Sequence, residues 1–298
     1  MWRGYGFALL AATLWAAGGL TAKWLEIDPA AMTGIRSIVA VVALGILLLI
    51  FNRDAFKIEN PRKDIPFLIL FGIFGQAAMS YTYLQAIAHN PVGVAILMHY
   101  LAPVFSLVIG VIFLRQKPKL LAIGGVAFAV IGCALVVGIV NPAGMNVTML
   151  GLAWGLASAF FFSLYAVMGG QAKERFSAFT LLFYGLAIST VLWLIVAGPS
   201  AVLTPIFTAE TTLPLLAVGI LSTLLPFAAF LLALRYIPAV NAGITAMAEP
   251  ILGVIGGALI FGEFVTGTFL LGGVLILAAI AAIQISDARN KDTHSKLQ

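Results

Sequence analysis

The sequence predicts an all-α integral membrane protein, with ten transmembrane helices arranged as two inverted five-helix repeats. Three observations carry that expectation. Of the 298 residues, 62% are hydrophobic and only 9% charged, a balance outside the range of water-soluble domains. Ten apolar runs follow one another with connections too short to hold a soluble domain. The chain also resembles itself at a shift of 147 residues, which brings Pro103 onto Pro250.

Cut at its charges, prolines and Asn or Gly punctuation, the chain gives apolar runs at 4–24, 31–51, 65–88, 91–114, 120–140, 149–170, 178–198, 212–235, 239–262 and 266–286. The first follows Arg3 and looks like the apolar core of a signal peptide. Its copy at 149–170 is internal, so it is expected to stay as a helix rather than be cleaved. The second contains Arg36, the fourth centres on Pro103, and the ninth carries Glu249-Pro250 at its middle. The first repeat is placed at 1–141 and the second at 148–288, with a polar cytoplasmic tail at 289–298.

Lysines and arginines orient the spans. Arg3, Arg53, Lys57, Arg62, Lys63, Arg115, Lys117, Lys119, Lys173, Arg175, Arg235, Arg289, Lys291 and Lys296 fall on one side of such a ten-span chain, and Lys23 alone on the other. Basic residues mark the cytoplasmic side, so both termini are expected there. The same placement, at helix ends, argues against a nucleic-acid partner despite the net charge of +5.

The shift of 147 also pairs Pro91 with Pro238, Gly4 with Gly151, Gly72 with Gly219, Thr33 with Thr180, Ala86 with Ala233, Gly110 with Gly257 and Gly125 with Gly272, without a gap. Five spans is an odd number, so the second copy crosses the membrane in the opposite sense. Inverted repeats share a site near the bilayer midplane and offer two near-equivalent conformations, the geometry of alternating access.

Candidate site residues follow from polarity at depth. A carboxyl at mid-membrane costs about 2.5–3.5 kcal/mol when charged. Pro250 cannot donate its backbone hydrogen bond, which frees a carbonyl about one turn earlier, near Ala246. Such backbone survives only within protein or beside water, so Glu249 is expected to wall a wettable cavity and to hold a proton or an ammonium group. The plain alternative is a protonated carboxyl that caps the loosened carbonyls.

His99, four residues before Pro103, lies about 6 Å from that level at ~1.5 Å rise per residue. It is a titratable candidate, or an imidazole bonded to a neighbouring helix. Trp15, Gln76, Tyr165 and Phe162, the repeat mate of Trp15, occupy depths where a ligand would sit; Tyr83, farther out on its helix, and Tyr100, about 100° round the helix from His99, are candidates as well. Ordinary packing is the alternative for all the aromatics. Tyr81 and Gln85 lie farther out. Arg36 could attract an anionic substrate, but it is expected to snorkel outward to Glu26 or Asp28, and Lys23 to anchor at the interface. Ser106-x-x-x-Gly110 and Gly253-x-x-x-Gly257 are expected to let the fourth and ninth helices approach closely, and Pro103 and Pro250 to kink them.

Several motifs together resemble the EamA-type transporters of the drug/metabolite transporter superfamily. They are Leu14-Trp15-Ala16, Tyr100-Leu101-Ala102-Pro103, Ala157-Ser158-Ala159-Phe160 with Tyr165, and Ala248-Glu249-Pro250 leading to Gly262-Glu263. The resemblance spans the whole chain in two units. It implies ten spans, a cavity lined mainly by the first, third, fourth, sixth, eighth and ninth, and export of small metabolites, commonly amino acids and related compounds, across the inner membrane. One departure is Leu114-Arg115-Gln116-Lys117, where the family often has Gly-Glu; Gln116 stands opposite Glu263 in the repeat.

Chemistry is constrained by what the sequence lacks. It has no Gly-Lys-Ser/Thr phosphate loop, so ATP is not expected to drive it. Cys133 is the only cysteine, which excludes an intrachain disulfide and a multi-cysteine metal site. No cofactor and no metal are expected. The expected partners are a small-molecule substrate, the lipid bilayer and protons as a candidate coupling ion, with a homodimer as a candidate assembly. The rival readings are an uncoupled facilitator of small solutes, an intramembrane enzyme acting on lipid, and a membrane scaffold or sensor.

Overall fold

The structure, a computed structural model, describes residues 2–113, 120–136, 147–172, 175–234, 236–237, 242 and 245–295. Pro238, Lys173, Arg235, Lys296, Lys119 and the Leu114–Lys117 departure lie outside the described residues.

The described chain is helical throughout. Helix α1 is Trp2–Leu25 and α2 Pro29–Phe51, followed by α3 over Pro61–His89. Helices α4 (Val92–His99) and α5 (Ala102–Phe113) share the fourth apolar run, and α6 is Leu120–Val136. Helices α7 (Met149–Ala172) and α8 (Ala178–Val196) precede the short α9 (Pro199–Leu203). Helix α10 runs from Ala209–Gly219 through Ile220–Leu224 to Leu225–Leu234. Last come α11 (Ala248–Phe261) and α12 (Gly267–Ser295).

Seven stretches are long and apolar enough to cross a membrane, and three apolar helices are shorter: Leu120–Val136, Ala248–Phe261 and Gly267–Ile283. Each of the ten runs read from the sequence therefore holds helix, but seven of them reach spanning length as helices among the described residues. The fourth run differs most from expectation. Its α-helix is interrupted in the turn before Pro103, at Tyr100-Leu101, where Leu101 N–H reaches Met98 O at 3.1 Å and Val104 N–H reaches Leu101 O at 2.9 Å. Pro103 supplies no N–H to continue the ladder.

Two longer turns sit inside α3 and α10, at Phe71–Ala77 and Ile220–Leu224, where the hydrogen bonds widen to the π pattern. Such widening is rare and concentrates at functional sites.

Bulky apolar side chains point outward, among them Leu259, Ile50 and Val274, each more than half exposed. Small residues fill the helix contacts, as expected where helices associate by close packing. Helices α1 and α10, α2 and α8, α3 and α7, α4 and α11, and α6 and α12 lie side by side, so every one of these pairs joins the first half of the chain to the second. Helices α6 and α12 approach closest: a methyl on Gly132 would stand 2.7 Å from the Gly272 carbonyl oxygen. Helices α4 and α11 meet through Gly253, as expected, which faces Ile96, and through Gly93, which faces Val254; Ser106 and Gly110, expected at the same contact, lie on α5, which packs mainly on α7. Gly257 serves differently, since its open face receives the Glu263 carboxylate rather than a helix.

The two ends of the bundle are held by polar contacts. At one end Gly262, with φ +64°, turns the chain out of α11, a backbone that favours glycine. Glu263 then folds back to pair with Lys23 at 2.5 Å and to accept the Val92 N–H at 3.0 Å, at the start of α4. Lys23 also donates to Asn90 O, and Asn90 Oδ1 accepts the Thr148 N–H. Lys23 is thus a buried-side partner of Glu263 rather than a free interfacial anchor. At the other end Arg175 pairs with Asp64, and Tyr184 Oη donates to Phe56 O.

Candidate functional site

Between the two halves lies a cavity of about 640 Å³, reached by α1, α2, α3, α4, α5, α7, α8, α10 and α11. Its wall includes Trp15, Gln76, Tyr83, His99, Tyr100, Tyr165 and Glu249, all seven of the residues read from the sequence as site candidates, together with Pro103 and Phe162. Pro250 is buried and does not line the cavity. The cavity runs from Gly19, Arg36 and Thr223 to Phe176, Ser177 and Ala178, next to the Arg175 end.

Glu249 is 6% exposed and sits in the first turn of α11, one residue before Pro250. Tyr100, at the break between α4 and α5, donates to Ala246 O at 2.7 Å and lies 3.0 Å from Glu249 Oε2. Tyr83 Oη donates to Glu249 Oε1 at 3.4 Å. The carbonyl freed by Pro250 is thus taken up by a phenol from the other half of the chain. A phenol carries one proton, so Tyr100 can donate to the carbonyl or to the carboxylate at a given moment. When it serves the carbonyl, Glu249 must itself be the protonated donor to Tyr100 Oη. When Glu249 is ionised, the phenol proton turns to it and the carbonyl is released. One phenol proton thus leaves two hydrogen-bond patterns open to Tyr100, Ala246 O and Glu249.

His99 does not touch Glu249. Its Nδ1 is 2.6 Å from Ser158 Oγ, and its ring stacks on Phe162 at 4.6 Å and packs against Tyr83 at 4.9 Å. Tyr83 stands between the two candidates, ring against imidazole and hydroxyl on carboxylate. Trp15 lies against Phe227 and Phe230, and Tyr165 against Phe162, Phe71 and Phe227, which builds one aromatic wall. Tyr81 and Gln85 bond to each other away from the cavity, with Tyr81 packed on Trp154 and Trp193.

Gln76 lies in the widened turn of α3, is 3% exposed and has no partner for its Oε1. A buried polar atom left unpaired costs roughly 1–3 kcal/mol. Here that atom belongs to a cavity-lining side chain.

Arg36 corrects the sequence reading. It does not snorkel to Glu26 or Asp28; Asp28 instead caps α2, accepting the Ala30 and Ala31 N–H groups at 3.0 Å each. Arg36 Nε donates to Thr223 Oγ1 at 3.1 Å and Nη2 to Ser222 O at 3.2 Å, within the widened turn of α10, and the side chain lines the cavity. Thr223 was legible only as a pattern: it stands 147 residues after Gln76, so the polar positions of the two widened turns are repeat mates.

The model of the EamA-like transporter family matches residues 2–138 and again 149–285. An uncharacterized inner membrane transporter, YicL, of Salmonella typhimurium is 22% identical over 94% of this chain and 95% of its own length. The threonine/homoserine exporter RhtA of Salmonella typhimurium is 25% identical over 80% of this chain and 77% of its own. One solved crystal structure superposes with a TM-score of 0.63 at 17% identity, covering 96% of this chain and 98% of that one, and so shares its fold.

Proposed function

Because the chain belongs to the EamA-like transporter family and is a multi-pass membrane protein, we propose that it is a secondary transporter. It exports a small metabolite, an amino acid or a relative, across the inner membrane by alternating access. The observation that carries this reading is the cavity itself, where Glu249 at the start of α11 meets Tyr83, Tyr100 and the helix break of the other half.

Two inverted five-span repeats, 1–141 and 148–288, are part of the proposal. The two family matches begin 147 residues apart and end 147 residues apart. Across that shift the cavity takes both members of the pairs Trp15/Phe162, Gln76/Thr223, Ser80/Phe227, Tyr83/Phe230 and His99/Ala246. The helix pairings behave likewise. The α1–α10 contact exchanges with α3–α7, while α2–α8, α4–α11 and α6–α12 map onto themselves. A pseudo-two-fold axis through the cavity accounts for all of this.

With both termini cytoplasmic, the Arg175 end faces the cytoplasm and the cavity is open inward, while Lys23, Glu263, Asn90 and Val92 close the outer end. Export then requires that the outer cluster part and the Arg175 end close. Glu249 is the coupling group, binding a proton or the substrate ammonium in alternation. RhtA's threonine and homoserine make amino acids the first solutes to assay.

The test is counterflow and gradient-driven transport in proteoliposomes loaded with the twenty protein amino acids. Saturable flux that responds to an imposed pH gradient in the parent and ignores it in Glu249→Gln supports the reading. Flux with unaltered pH response in both Glu249→Gln and Glu249→Ala removes Glu249 from the mechanism.

A further inference from the structure

Arg36 and, when ionised, Glu249 place opposite charges on one cavity wall. They form no direct ion pair: the ion pairs among the described residues are Lys23–Glu263, Lys57–Asp54 and Arg175–Asp64. The guanidinium has five N–H donors, and its bonds to Thr223 and Ser222 use two of them. At membrane depth an uncompensated charge is costly, and removing one partner of a buried pair costs more than the pair contributes. A ligand with a single charge would answer one of these groups and leave the other bare. A ligand with both charges answers both.

A second feature points the same way. Gln76 Oε1 is buried, lacks a partner and belongs to the same wall, so it offers an acceptor for a donor that the protein itself does not supply. The aromatic wall of Trp15, Phe162 and Phe227 gives the remainder of such a ligand an apolar surface.

We propose that the substrate is recognised as a dipole, with its anionic group on the Arg36 guanidinium and its protonated amine on the Glu249 carboxylate, where Gln76 Oε1 serves as a further acceptor. This rests on the transporter reading above and adds the residues that read each end of the solute. Arg36 also steadies the widened turn of α10 through Ser222 O, so its test must separate binding from folding.

The experiment uses the full chain in nanodiscs and follows thermal stabilisation by each of the twenty protein amino acids. Every amino acid that stabilises is then compared with its primary amide, which removes the negative end, and its N-acetyl form, which removes the positive end. Binding is expected for at least one amino acid, with both derivatives weaker by about 10- to 100-fold, the range of a lost charged hydrogen bond. Arg36→Gln should erase the preference for acid over amide, and Glu249→Gln the preference for amine over N-acetyl. Arg36→Lys keeps the charge and should keep part of the acid preference, which a purely structural role would not produce.

Stabilisation by butylamine, butyrate or glycerol as strong as by any amino acid overturns the proposal. So does silence from all twenty, or an Arg36→Gln protein that still prefers acid over amide. Proteoliposomes separate the two levels: flux without a dipole preference sinks this inference and leaves the transporter reading standing, whereas no flux of any solute sinks both.

Discussion

Removing the Tyr100 hydroxyl tests the junction between the halves most directly. Tyr100→Phe leaves the ring in place but removes the hydroxyl that partners both Ala246 O and Glu249 Oε2, which lie 2.7 and 3.0 Å away. A carbonyl stranded by burial costs roughly 1–3 kcal/mol, and a hydrogen bond to a charged or shared-proton partner contributes roughly 1.5–3 kcal/mol. The single substitution should therefore destabilise the protein by about 3–5 kcal/mol, the sum of those two ranges trimmed for relaxation. In a Glu249→Ala background the carboxyl is already gone, and the same change should cost only about 1–3 kcal/mol. The double-mutant cycle thus predicts a coupling of about 1.5–3 kcal/mol between two residues 149 apart in sequence. Equilibrium unfolding in mixed micelles reads all four proteins. Additivity within about 0.5 kcal/mol would mean that Tyr100 and Glu249 do not share a proton in the folded protein, and the hydrogen-bond switch at the break would fall with it.

Three further outcomes follow from the geometry. His99 has its Nδ1 on Ser158 and rings on both faces, so His99→Gln should slow transport yet keep its pH response; loss of that response would move the coupling proton from Glu249 to His99. Gly132→Ala puts a methyl against the Gly272 carbonyl, a backbone atom that cannot swing aside, and should cost about 1–3 kcal/mol in unfolding; an unchanged midpoint would show that α6 and α12 are free to separate. Lys23→Ala removes the 2.5 Å pair with Glu263, so in a Cys133→Ser background a Gly19→Cys thiol should react faster with a membrane-impermeant maleimide added from the Glu263 end, and an unchanged rate would show that this cluster does not close the cavity.

Much of this site could be read from the sequence because its signals are local and expensive. Glu249, His99 and Gln76 are polar atoms inside apolar runs, and burying them has a cost that only a cavity or a partner can offset. The freed carbonyl near Ala246 followed from the ring of Pro250 alone; its partner, Tyr100, did not, because pairing across the halves depends on tertiary register. The break of the fourth run at Tyr100-Leu101 was hidden for the same reason. A proline permits a kink or a stop, and the choice falls to what takes the loosened groups. Arg36 was misplaced because snorkelling is the cheap answer for a lone arginine near a helix end. That answer fails once Asp28 is committed to its own helix cap and the widened turn of α10 presents a carbonyl and a hydroxyl inside. The widened turns themselves leave no pattern in hydrophobicity, since the runs stay apolar through them.

The repeat and the chemistry meet at the Tyr100-Leu101 break and at the start of α11. They are repeat mates in backbone, since Pro103 and Pro250 stand 147 apart, but not in side chains: Tyr100 and His99 face Met247 and Ala246 across the shift. Under the proposed alternating access, two repeat-related positions of this kind would supply two equivalent ways for the bundle to rock. The asymmetric side chains then give one position the proton-sensitive acceptors and the other the donor. Because one phenol proton must serve either the Ala246 carbonyl or the Glu249 carboxylate, whatever occupies the carboxylate decides whether the start of α11 is tied to the first half. A proton on Glu249 leaves Tyr100 free to hold Ala246, and the halves are joined at that point. An ionised Glu249 draws the phenol away, and the substrate amine can then take over the charge while the carbonyl waits for water or for the opposite conformation. On this argument a substrate amine and a proton compete for one oxygen, so raising the proton concentration on the side where the cavity is open should weaken substrate binding there in the parent, and should leave it unchanged in Glu249→Gln.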